Sequence, residues 1–116
     1  MKKRCISAAI LILGAAAGAH AQVVADTDAR YEALKALGEL NGTALQCKYL
    51  DQTRRMKAAV VESVPKERSF GLAFDQATND AFVAMVQSGT PCPGILGFEV
   101  WVGERIEVMQ EVFRAP

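Results

Sequence analysis

The sequence predicts an all-α fold: a small four-helix bundle-like domain stapled by one disulfide. Three observations carry this expectation. Apolar residues recur at spacings of three and four along most of the chain. Proline and glycine fall where helices of ordinary length would stop. Two cysteines remain once an N-terminal export segment is set aside.

That segment is residues 1–21. Lys2, Lys3 and Arg4 form a positive start, and residues 5–19 are uncharged and rich in Ile, Leu and Ala. The run ends at Ala19-His20-Ala21, a small-x-small site of the kind a signal peptidase cuts. A run of about 15 apolar residues is short for a membrane span, which takes about 20. Cys5 lies beside the basic cluster, the wrong place for a lipoprotein anchor. The expectation is a signal peptide of the bacterial export type, cleavage near Ala21, and a periplasmic or secreted single domain over residues 22–116.

Cleavage changes the chemistry. The full chain has 13 basic and 13 acidic residues, and three of the basic ones leave with the signal, so the mature chain carries 10 against 13, a net charge of −3. This balance offers no electrostatic reason to bind nucleic acid or an anionic membrane. The only histidine, His20, leaves as well.

A mature chain of 116 − 21 = 95 residues buries a modest core and benefits from a covalent staple. Cys47 and Cys92 have one possible intramolecular pairing, and export places them where disulfides persist. Closing the loop between them is worth about 4 kcal/mol in the chain-entropy model. They are not spaced as a Cys-x-x-Cys redox motif, and a zinc site would need further ligands.

The helices are expected as follows. The first starts at Thr27 or Asp28, either of which can cap it, and puts Tyr31, Leu34, Leu37 and Gly38 on one face. Asn41-Gly42-Thr43 reads as a break; it also spells a glycosylation acceptor, which an export signal of bacterial type leaves without meaning. The second spans residues 43–64, with Leu45, Tyr49, Met56, Val60 and Val64 on its main stripe and Cys47, Leu50 and Val61 on an adjoining one. Pro65 ends it and suits the first turn of the next.

The third spans residues 66–88. Phe70, Phe74, Ala77, Ala81, Ala84 and Met85 share one side, and Gly89 stops it. If the second and third helices pair as an antiparallel hairpin about Pro65, Cys47 and Cys92 meet at the opposite end. Residues 98–114 admit two readings. As a helix, Phe98, Trp101, Val102, Ile106, Val108, Met109, Val112 and Phe113 form one broad apolar face with Arg105 intruding. As a β-hairpin, two short alternating runs would turn at Gly103-Glu104. The helix partitions the longer span more cleanly.

Few chemistries fit these residues. Without a mature histidine, His-dependent nucleophiles and His-ligated metals are excluded, and no glycine-rich phosphate loop occurs. No catalytic residue, cofactor or metal is expected. Glu62, Glu67, Asp75 and Asp80 could only serve a carboxylate-based cell-wall enzyme, yet they occupy polar helical positions that usually face water. Met56, Met85 and Met109 fall on apolar stripes and read as core. Lys48, Arg54, Arg55 and Lys57 make a basic patch, whereas Glu99, Glu104, Glu107 and Glu111 make the last helix acidic.

One feature stands apart. Leu72, Phe82, Val83 and Val86 lie opposite the third helix's main stripe, and Trp101 and Phe113 widen the face of the last. These six form a candidate partner surface. The expectation is a non-enzymatic exported protein that binds another protein through apolar helix faces: an envelope or secretion component, or a toxin it neutralises. A homodimer is a further possibility. In size and staple spacing the plan is similar to small periplasmic acid-stress chaperones, which implies a stress chaperone as the alternative.

Overall fold

The computed structural model describes residues 15–114, with side chains from residue 27 onward. The basic start of the expected export segment lies outside these residues, and Ala19-His20-Ala21 fall within the first helix, where only the backbone is described. Four helices follow: α1, Ala15–Gln46; α2, Leu50–Ser63; α3, Arg68–Ser88; and α4, Ile95–Arg114. No strand occurs among the described residues, so residues 98–114 are helical and the hairpin reading is set aside.

The first helix does not break at Asn41-Gly42-Thr43. It continues to Gln46, and the chain reverses at residues 47–49, where Lys48 takes the left-handed φ of 61°. Gly42 is not punctuation but a contact. A Cβ at Gly38 would stand 2.7 Å from the Phe74 carbonyl oxygen and 2.8 Å from the Ala77 Cβ. At Gly42 it would stand 2.4 Å from the Thr78 carbonyl oxygen and 2.8 Å from the Ala81 Cβ. Two small residues one turn apart on α1 therefore seat against two small residues one turn apart on α3, bringing the backbones close.

This seam also fixes direction. Tyr31 meets Phe70 at 5.2 Å between rings, Gly38 meets Phe74 and Ala77, and Gly42 meets Thr78 and Ala81, so α3 runs parallel to α1. The helix α4 runs the other way: Arg30 Nε donates to the Val112 carbonyl at one end (3.2 Å), and Tyr49 packs on Phe98 at the other (5.5 Å). The helix α2 accompanies α4, with Arg55 Nη1 donating to the Glu99 carbonyl at 3.2 Å.

The result is a three-helix core of α1, α2 and α4, with α3 flanking the other side of α1. The expected hairpin of α2 on α3 is not formed; the two helices do not pack together. Pro65 lies in a short extended link rather than in the first turn of α3, which begins at Arg68 with Glu67 as its N-terminal flank. The physical reason is steric fit. The smooth Ala77–Ala81 edge of α3 matches Gly38 and Gly42 of α1, while α2 offers Gln52, Thr53, Met56 and Ala59 to the core on its own side.

Leu34, Leu37, Met56, Phe98, Val102 and Met109 are fully buried at the centre. Leu50 and Val61, placed by the sequence on an adjoining apolar stripe, are exposed because only one face of α2 has neighbours. At the end near Pro65, Phe70 and Phe113 meet edge-on at 5.1 Å and Arg30 sits 5.4 Å over the Phe113 ring. At the opposite end Cys47 and Cys92 are bonded, with Cα atoms 5.7 Å apart. The Tyr49 hydroxyl donates to the Pro93 carbonyl at 2.6 Å, a second tie between the same two connections.

Candidate functional site: an apolar groove beside the third helix

Because α3 leans on α1 and meets α4 only where Phe70 touches Phe113, a trough remains between α3 and α4 with α1 as its floor. It measures about 1170 Å³. Leu40 and Thr43 of α1 lie on the floor; Ala73, Ala77 and Ala84 line the α3 wall, and Trp101 stands on the α4 side. Lys35, Glu39 and Asp80 supply charges of both signs along the lining. Thr90 and Pro93 close the stapled end.

The alanines give the wall its character. Positions 73, 77, 81 and 84 recur at three and four, so one edge of α3 is smooth along three turns. A smooth wall lets another helix approach closely, as Gly38 and Gly42 already do from the α1 side. The trough is larger than most drug-sized ligand sites and is open along its length.

The six residues of the expected partner surface divide three ways. Leu72 and Trp101 line the groove, and both are about half exposed (46% and 52%). Phe82, Val83 and Val86 lie near the C-terminal end of α3, with Val83 and Val86 exposed and Phe82 partly covered. Phe113 is half-buried and belongs to the aromatic cluster with Phe70 and Arg30. Sequence reasoning missed the groove's floor and alanine wall, having assigned Ala77, Ala81, Ala84 and Met85 to a core face. The alanine periodicity was the available signal.

The carboxylates do not converge. Glu62, Glu67, Asp75 and Asp80 are all exposed and distributed over α2, the link and α3. Asp75 and Asp80 are five residues apart, about 140° around the helix. Among the described residues no three His, Cys, Asp or Glu side chains gather as a metal site. The basic patch is partly consumed by structure: Arg55 bridges Gln52 and Glu99, and Arg54 pairs with Asp51 at 3.2 Å. No family model matches this sequence, and neither a curated protein nor a solved structure matches it either.

Proposed function

We propose that this chain is an exported, non-enzymatic binding module that receives an apolar helix of another protein in the groove between α3 and α4. The observation that carries the reading is the groove itself: an open trough floored by α1, smooth on one side and carrying a half-exposed tryptophan on the other. Helix-in-groove recognition uses such a surface, with apolar anchors every three or four residues. A trough of about 1170 Å³ accommodates roughly three turns of helix about 10 Å across. The partner is an envelope or secretion component, or a toxin held inactive.

Export is supported by the Cys47–Cys92 bond, which an oxidising compartment sustains. No described helix is long and apolar enough to cross a membrane.

A photo-crosslinking residue at Ala84, compared with one at Val61 on the far side of the molecule, tests the groove in living cells. The expected result is a discrete heterologous adduct from position 84 alone. The captured protein's helix should then bind the purified domain, and Ala84→Arg should block it. Adducts only to a second copy of this chain would replace the reading with a homodimer, and no adduct from either position would remove it.

A further inference from the structure

A second apolar region, outside the groove, occupies the stapled end. Between Asp80 and Glu99 the sequence contains no charged residue. The fold gathers that whole run into one tip: the last turns of α3, the loop at residues 89–94 and the first turns of α4. Val83, Val86, Ile95, Leu96 and Val100 are exposed there, Leu96 at 76%. None of these five lines the groove.

Some polar groups of the tip are satisfied within it. Pro91 and Pro93 have no N–H to satisfy. The Ser88 and Thr90 hydroxyls bond each other at 2.5 Å. The Pro93 carbonyl accepts from Tyr49, Gly89 N–H donates to the Met85 carbonyl and Phe98 N–H to the Gly94 carbonyl. The N–H groups of Thr90, Cys92 and Gly94 find no backbone acceptor among the described residues, so the loop suits a hydrated interfacial layer and not the dry acyl core. The disulfide and the tyrosine hold it in one shape.

Charges reappear at the border of the tip, with Asp80 on α3, Glu99 on α4, and Lys48 and Asp51 across the staple. Three of these four are acidic, so an anionic surface is disfavoured. Trp101, the only tryptophan in the sequence, stands at this border. An uncharged apolar tip with a tryptophan at its margin matches the interfacial layer of a bilayer, where aromatic rings settle and apolar side chains enter the acyl boundary. We infer that the tip inserts shallowly into a neutral, zwitterionic lipid surface, with Trp101 standing where that surface meets the stapled end of the groove.

The test uses the protein purified after export and vesicles of phosphatidylcholine and phosphatidylethanolamine. Trp101 emission should shift to the blue on mixing, be quenched more by lipids labelled near the headgroup than deep in the chain, and accompany flotation of the protein. Leu96→Glu and Val86→Glu, both at exposed positions, should each weaken partitioning by about tenfold or more, the scale of withdrawing one aliphatic side chain from an apolar phase. Val61→Glu, exposed on α2 away from the tip, should partition as the parent does. The inference is overturned by absent flotation and emission shift, by a requirement for anionic lipid, by an equal loss in Val61→Glu, or by light scattering that shows the tip pairing two copies instead. Each outcome leaves the crosslinking test of the groove unaffected, because Leu96 and Val86 lie outside it.

Discussion

Gly42 lies so close to Thr78 that a Cβ on the glycine would stand 2.4 Å from the threonine's carbonyl oxygen. Since that neighbour is backbone, it cannot swing aside, and one helix must shift. Gly42→Ala is therefore expected to destabilise the domain by about 2–3 kcal/mol despite alanine's better helix propensity. Gly71, on α3, has nothing within 4 Å of an added Cβ, and Gly71→Ala should stabilise by about 0.5–1 kcal/mol. Urea unfolding of the two variants gives opposite signs if the seam is as described. Equal effects would contradict it.

The same seam contains a polar contact with one loose end. Asn41, 1% exposed, donates from Nδ2 to the Thr78 hydroxyl at 3.2 Å, and that hydroxyl donates to the Phe74 carbonyl at 2.8 Å. The Asn41 Oδ1 meets no donor among the described residues. Thr78→Val removes the asparagine amide's acceptor among the described residues and should lower stability by about 1–3 kcal/mol. Combining it with Asn41→Leu should recover much of the loss, because no buried polar group is then stranded. A double-mutant cycle measures this coupling, and strict additivity would refute it.

Breaking the staple should weaken the fold without altering its helices. Cys47→Ser with Cys92→Ser is expected to reduce unfolding free energy by about 2–4 kcal/mol, read from the urea midpoint. The Tyr49–Pro93 hydrogen bond spans the same two connections, so Tyr49→Phe in the reduced background should be more harmful than in the oxidised one. Circular dichroism at low temperature should remain helical in all of these variants.

The aromatic end can be probed separately. Phe113 touches Phe70 edge-on and lies beneath Arg30, which also reaches the Val112 carbonyl. Phe113→Ala should cost about 2–4 kcal/mol, less than the largest values for fully buried aromatics because the ring is only half covered. Its effect on tip-dependent vesicle binding should be small, since it sits at the other end of the molecule.

The helical class, the staple and the third helix's stop at Gly89 were legible because each has a local signature. Gly89 takes a left-handed φ of 67°, where glycine meets no steric penalty, and periodicity identifies α4 despite its hairpin-like start. The turn at residues 47–49 was not legible: its left-handed residue is Lys48, and no glycine or proline announces it. Gly42 misled for a related reason. A glycine inside a helix and a glycine that breaks one look alike until the opposing surface is known. Neighbouring helices in sequence were also assumed to pair, whereas α3 found its fit on α1. The groove exists because of that choice, so it could not be read before the packing was known.

The parallel seam also has a meaning for descent. Ala77 and Ala81 follow Gly38 and Gly42 at one and the same interval, and neither glycine has room for a methyl group. Any diverged cousin that retains this shape must keep small side chains in both pairs, together with the two cysteines, while the open positions 71 and 97 drift freely. A kinship too faint for overall similarity would thus survive as four spaced gaps in side-chain bulk. That pattern is the one by which such cousins can be picked out.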